Sequence, residues 1–277
     1  MTQPFSLAIW GTTGSAKSSI ALSFPGPVVF DFDLRLGGVE KKLLDRIVRR
    51  TEGETGAYEY KAPVHIAKSG ETRGTQIKWQ LQGWREQYDQ FVQDLLDELR
   101  KPDTLTIVID TGTQMRETAN NGYLQELQEH PSRPGELRQQ LQQIEYAAPN
   151  DRIKSIYQAV KSARKNLVVT HYDEDEYKDD ITFDPRTGEK EKVSVKTGHR
   201  VMKGFNKTPE LVDMMLVTSL EQVAIYNNDG VKTGDRIAPI GTVTKAGLDL
   251  NMLGMRILDP NYDTIVQRLK FLRPGSW

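Results

Sequence analysis

The stretch SLAIWGTTGSAKSSIALSFPGPVVFDFD, residues 6–33, decides the fold. An apolar run is followed by a glycine loop, a short helical pattern and a second apolar run that ends in acids. The loop is Gly11-Thr12-Thr13-Gly14-Ser15-Ala16-Lys17-Ser18, with Ser19 after it. It matches the phosphate-loop pattern G-x-x-x-x-G-K-[ST] except at Ala16, where the pattern asks for glycine. Backbone N–H groups of such a loop converge on phosphate oxygens, and the helix start adds favourable partial charge. Lys17 is expected to reach the β- and γ-phosphates, and the Ser18 hydroxyl to ligate Mg²⁺. Ala16 adds a methyl beside the phosphates. Alanine tolerates helical dihedrals, so the loop is expected to keep its shape, and glycine there is expected to be slightly less stable.

Two acidic strand ends point to the same place. TLTIVIDTGT, residues 104–113, is a β-branched run ending in Asp110, which can hold the water shell of the Mg²⁺. VVFDFDLRLGG, residues 28–38, carries Asp31 and Asp33, expected on opposite faces of the strand end, with one toward the γ-phosphate.

The surrounding chain reads as alternating strands and helices. Strands are expected at 5–10, 27–32, 62–66, 104–110, 166–171, 212–219 and 222–227. Helices are expected over 85–100, 150–164 with Asn150 as its cap, and near 261–271. This order implies an α/β fold, a mostly parallel sheet covered on both faces. Three segments break the alternation: a polar, Gln-rich stretch at 111–150, a charged arm at 172–207, and an extension at 228–277. The arm reads as a hairpin around Thr187-Gly188. One domain spanning 1–277 is the simplest organisation. Trp79, Trp84 and Tyr123 read as helix-packing residues rather than base-stacking ones.

Composition bounds the function classes. The 277 residues are 37% hydrophobic and 27% charged, as in a soluble globular protein. The formal net charge of −1 gives no global attraction to nucleic acid or anionic membrane, so such affinity must come from local patches. There is no cysteine, which excludes disulfides and thiolate metal sites. No basic leader opens the chain and no apolar run approaches a membrane span, so the cytoplasm is the expected location and no membrane partner is expected.

The order of motifs resembles the RecA-like ATPases, and within them the phage-encoded AAA-type nucleotide-binding proteins that include phage single-strand-annealing recombinases. The resemblance rests on the loop at 11–18, VFDFD at 29–33, IVIDT at 107–111, NLVVTHY at 166–172, GFNKTPELVDMMLVTS at 204–219 and TKAGLDLNMLGMRILDPNYDTI at 244–265. It implies a RecA-like P-loop core that uses ATP and Mg²⁺, binds single-stranded DNA and self-associates into a ring or filament. It also implies that Asp33 activates the attacking water and that His171, with Thr170 beside it, senses the γ-phosphate. Lys245 would enter a neighbour's site. Ala246 and Gly247 stand where an arginine is expected after it, so hydrolysis is expected to be slow, or the arginine to come from Arg200 or Arg256.

The arm carries acids in its first half and bases in its second. Lys192, Lys196, Arg200 and Lys203 are the candidate DNA contacts. A nucleotide-gated assembly or loading factor, and a small-molecule phosphotransferase, are the competing readings.

Overall fold

The computed structural model describes residues 3–63, 66–67, 78–131, 137–183 and 190–272. In chain order, β1 (Ser6–Gly11) enters the loop and α1 (Lys17–Leu22) leaves it. Then come β2 (Pro27–Asp31), α2 (Lys41–Leu44), β3 (Tyr58–Glu59), β4 (Ile66–Ala67), β5 (Trp79–Gln80), α3 (Trp84–Arg100), β6 (Thr106–Asp110) and α4 (Gly112–Glu129). The second half runs α5 (Ala147–Ser162), β7 (Asn166–His171), β8 (Asp173–Phe183), β9 (Lys190–Met202), α6 (Thr208–Leu211), β10 (Met214–Tyr226), β11 (Lys232–Ala246), β12 (Arg256–Leu258) and α7 (Tyr262–Leu272).

Eight strands form one sheet in the order β12-β11-β10-β1-β7-β6-β2-β3. The pairs from β10 to β3 are all parallel; β10–β11 and β11–β12 are antiparallel. Successive residues of a buried strand face opposite layers. Leu7, Ile9, Val29, Val108, Val168 and Leu216 therefore pack in one cluster with Ile20 and Leu22 of α1 and with Ile265 and Leu269 of α7. Ala8, Val28, Ile107, Ile109, Leu167 and Val169 pack in the other, with Phe91 of α3, Met115 of α4 and Ile153 of α5. Phe91 is wholly buried. A phenylalanine so placed contributes about 1.5–3 kcal/mol by transfer alone.

Several expected elements differ. The strands expected at 212–219 and 222–227 are one continuous strand, β10, because its outer half pairs with β11 instead of turning. Of the strand expected at 62–66, residues 62–63 are irregular, 64–65 lie outside the described residues and Ile66 opens β4. The polar stretch from 111 onward holds an 18-residue helix, α4. Its buried face mixes Met115, Ala119 and Leu124 with Gly112, Thr113, Thr118, Gly122, Gln125 and Gln128, which leaves little apolar periodicity to read. The glutamines are buried because they serve main chain. Gln125 Oε1 accepts the N–H groups of Trp84 and Arg85 at 2.9 and 3.2 Å, and Gln128 Oε1 accepts that of Leu81 at 2.7 Å. Helix α5 begins three residues before Asn150, so Asn150 is not its cap; a 3-10 turn at Gln143–Tyr146, with a capping box between Gln142 and Glu145, leads into it.

The arm is an antiparallel ribbon of β8 and β9. Its turn at Thr187-Gly188 lies outside the described residues. Trp84 is buried, as packing requires, and Tyr123 packs beside it, but Trp79 is 44% exposed.

Candidate nucleotide site

The loop between β1 and α1 is closed by its own side chains. Ser15 Oγ lies 2.7 Å from the Thr12 carbonyl and 2.7 Å from Thr218 Oγ1 on β10. Gly11 is required by close approach: a Cβ there would stand 2.4 Å from the Thr218 carbonyl oxygen, and its φ of 151° suits glycine. Lys17 is buried, and its Nζ donates to the Gly11 and Thr12 carbonyls at 2.8 and 2.7 Å. Burial lowers its pKa below the ordinary lysine value, against the pull of Asp110, Asp173 and Asp33.

Ala16 departs from the expectation. It flanks the helix with φ 68° and ψ 18°, a left-handed conformation and not a helical one. That region is natural for glycine and strained for alanine.

The acids gather on the α1 side of the sheet. Asp31 and Asp110 are register partners on β2 and β6. Asp110 accepts the Ser18 hydroxyl at 2.7 Å and also the Thr170 hydroxyl of β7. Burial raises its pKa. Asp31 Oδ1 accepts the N–H groups of Asp33 and Leu34 at 3.0 and 2.8 Å, and burial followed by repulsion from Asp110 pushes its carboxyl up to about 7. The expectation that Asp31 and Asp33 face opposite ways does not hold. Positions i and i+2 share a side, and here Asp31 is buried at the strand end while Asp33 lines the cleft beyond it.

The cleft is about 430 Å³ and is lined by Thr13, Gly14, Ala16, Lys17, Ser18, Ser19, Asp33, Arg35, Asp110 and Tyr172 among others. Its donor set fits a magnesium-bound polyphosphate. A buried ammonium, a loop of backbone N–H groups and a helix start offer positive potential to phosphate. Ser18 and Asp110, already in contact, are the oxygen ligands a small hard cation takes.

Other expected residues lie elsewhere. His171 is fully buried and does not line the cleft. It shares a face with Leu167 and Val169, away from α1, and its ring packs on Gly112 and Gly204, where an added Cβ would stand 2.7 Å from Cε1 and 2.8 Å from Nδ1. Burial pushes its pKa down to about 4, so the ring is neutral. Thr170, one residue earlier, is the β7 side chain that reaches the site. Lys245 lies away from this cleft: its ammonium is held by the Pro209 and Val212 carbonyls of its own chain, toward the end of the sheet opposite the loop. Arg256 pairs with Glu221.

In the arm, Arg200 donates to Asp173 and Asp175, both at 2.8 Å, which raises its pKa further. Lys196 pairs with Asp175 at 2.8 Å and Lys192 with Asp179 at 3.4 Å. The bases face the ribbon's own acids. Lys203 instead lines a separate polar cleft of about 330 Å³ with Arg116, Asn120 and Glu174.

Two cleft residues were not foreseen. Tyr172 follows the β7 acceptor segment directly, and Arg35, 3.6 Å from Asp33, follows the second acidic strand end. Both stand inside stretches quoted above, 166–172 and 28–38, and that placement was the available signal.

The AAA domain family matches residues 3–242. The chain belongs to that family. Its fold is α/β, with the loop strand β1 in the middle of a mostly parallel sheet and the acid-bearing strand β6 separated from it by β7. The AAA domain is a nucleotide-binding ATPase domain. No curated protein matches the sequence. Among solved structures, the chain is similar to a KaiC-like protein from Pyrococcus horikoshii OT3, at 10% identity and TM-score 0.41 over 88% of this chain and 80% of that one. It is also similar to the flagellar accessory protein FlaH from Methanocaldococcus jannaschii, at 9% identity and TM-score 0.38 over 93% of this chain and 85% of that one. Among the described residues no helix is long and apolar enough to cross a membrane.

Proposed function

We propose that the chain binds Mg-ATP in the loop cleft and hydrolyses it, with Asp33 as the base for the attacking water. The observation that carries this reading is the convergence of Lys17, Ser18, Asp110 and Asp33 on one cleft at the C-terminal end of the parallel strands. Lys17 and the loop would hold the phosphates, Ser18 and Asp110 the Mg²⁺. The magnesium supplies charge neutralisation at the phosphates. Asp33, on the cleft wall, has the position to accept a proton from water as the water oxygen bonds to the terminal phosphorus and ADP leaves.

We further propose that the ATP cycle serves DNA recombination, annealing or replication on single-stranded DNA, in a self-associated ring or filament and in a phage setting. The sequence resemblance supports this part. The arm's internal ion pairs favour a second reading, a nucleotide-gated assembly or loading factor, because bases already matched by acids offer little net charge to phosphate. Among the described residues the arm does not converge arginines over the cleft, as a phosphotransferase lid for a small substrate would.

Hydrolysis measured with and without single-stranded DNA, together with mass measurement with and without ATPγS, tests both readings. Stimulation by DNA and nucleotide-dependent assembly support the first. Assembly without any DNA effect supports the second. No nucleotide binding at all refutes both.

A further inference from the structure

We propose that Tyr172 is a positioning residue of the nucleotide site, holding the Asp33 carboxylate through its hydroxyl and covering Lys17 with its ring. The inference rests on the reading of the cleft as an ATP site, and adds to it a residue that none of the sequence motifs assigns a role.

Three contacts converge on this one side chain. The Tyr172 hydroxyl donates to Asp33 Oδ2. The Lys17 ammonium stands 5.6 Å from the centre of the Tyr172 ring, within range of a cation–π contact. The ring itself lines the cleft. A carboxylate on a one-carbon stem can rotate freely. Once Oδ2 is held, the plane of the group is fixed and so is the direction of Oδ1. A base fixed in this way meets water in one geometry, which is the condition for an oriented proton transfer.

The main chain of Tyr172 is fixed as well. Its N–H donates to Thr113 Oγ1 at 3.1 Å, and its carbonyl accepts the Lys203 N–H at 2.8 Å. The Thr113 hydroxyl in turn donates to the Lys203 carbonyl at 2.9 Å. Tyr172 is therefore clamped between the start of α4 and the returning strand of the arm. The same residue ends the β7 segment and precedes β8, so the side chain on Asp33 is anchored by backbone shared with the arm. Burial raises the phenol's pKa, then the bond to Asp33 raises it further, and the hydroxyl stays a donor across the neutral range.

The test compares Tyr172→Phe and Tyr172→Ala with the wild type in two assays, ATPγS binding by titration and ATP hydrolysis under single-turnover conditions with enzyme in excess. Phenylalanine keeps the ring and loses only the hydroxyl. It should bind ATPγS as the wild type does and hydrolyse ATP about 10- to 100-fold more slowly, a fall in the single-turnover rate constant with the dissociation constant unchanged. Alanine should show the same loss of rate and also bind ATPγS about 2- to 5-fold more weakly, since Lys17 loses its aromatic cover. A residue with only a structural role would move affinity and rate together in both variants. Turnover of Tyr172→Phe within two-fold of wild type overturns the proposal and leaves nucleotide binding intact. A wild type that binds no ATPγS overturns the underlying reading instead.

Discussion

Replacing Ala16 by glycine should stabilise the protein, against the ordinary rule that glycine weakens a helix start. The rule assumes helical dihedrals at that position. Ala16 has φ 68° and ψ 18°, and its carbonyl accepts the Ile20 N–H at 3.0 Å as the first bond of α1. A residue with a Cβ held in the left-handed region bears about 1–2 kcal/mol that glycine does not. Glycine returns about 0.4–1 kcal/mol of this through the greater freedom of its unfolded chain. The net gain is about 0.5–1 kcal/mol. At roughly 2.1 cal/mol/K per residue the unfolding entropy of this chain is about 0.6 kcal/mol/K, so Tm should rise by about 1–2 °C. Scanning calorimetry of the apoprotein reads this directly. Ala16→Val is the opposing control. A β-branched side chain fits the left-handed region worse than alanine does, so it should lower Tm by a similar or larger amount. ATPγS affinity in the glycine variant should be equal or tighter, because a methyl beside the phosphates is gone. A glycine variant that melts below wild type would refute the left-handed assignment and restore the helical one.

Lys17→Ala should abolish measurable ATPγS binding, a loss of at least about 100-fold, with the far-UV circular dichroism unchanged. Asp33→Asn should bind Mg-ATP normally and turn over about 10²–10⁴-fold more slowly, whereas Asp110→Asn should weaken the Mg²⁺-dependent part of binding; titrations with and without Mg²⁺ separate the two. Changing Lys192, Lys196, Arg200 and Lys203 together to alanine should flatten the salt dependence of single-stranded DNA affinity, roughly −0.7 in log–log slope per lost phosphate contact; an unchanged slope removes the arm as the DNA contact. Asp31→Asn should flatten the pH dependence of stability. The unfolded chain gives up this proton near pH 3.8 and the folded chain near 7, so wild-type stability falls as pH rises through that window, and the penalty is complete above it. Asparagine keeps the acceptor for the Asp33 and Leu34 N–H groups. The variant should therefore melt near wild type at pH 4 and above it at pH 8, by on the order of 2–4 kcal/mol, in parallel thermal melts.

The legible parts of this molecule were those where one residue type answers one local demand. The glycine loop, the apolar strands and their acidic ends are written in consecutive residues, and the sheet follows from them. Helix α4 was hidden because most of its buried face is threonine, glycine and glutamine, with Met115, Ala119 and Leu124 scattered among them; the glutamines satisfy the main chain at the start of α3 and at Leu81. The placement of His171 was misread for a different reason. A strand end offers two faces, and the resemblance puts His171 at the phosphate with Thr170 only beside it; the register with β6 instead brings Thr170 onto Asp110. Lys245 and the arm's bases show the third limit. Their chemistry depends on partners distant in sequence or across a ribbon. The Pro209 and Val212 carbonyls and the acids of β8 already hold those ammonium and guanidinium groups.

The charge balance of the cleft ties these pieces together. Asp110, Asp173 and Asp33 act on the buried Lys17 ammonium, and Asp31 and Asp110 have raised pKa values because burial and carboxylate repulsion oppose ionisation. At an effective dielectric near 20, two unit charges 4 Å apart interact by about 4 kcal/mol, so an unscreened polyphosphate entering such a site meets repulsion comparable to the attraction of Lys17. The loop N–H groups offset part of it. A divalent cation held by Ser18 and Asp110 would offset the rest, and would favour the ionised form of Asp110. The Ser18–Asp110 hydrogen bond marks the place that metal coordination would take over.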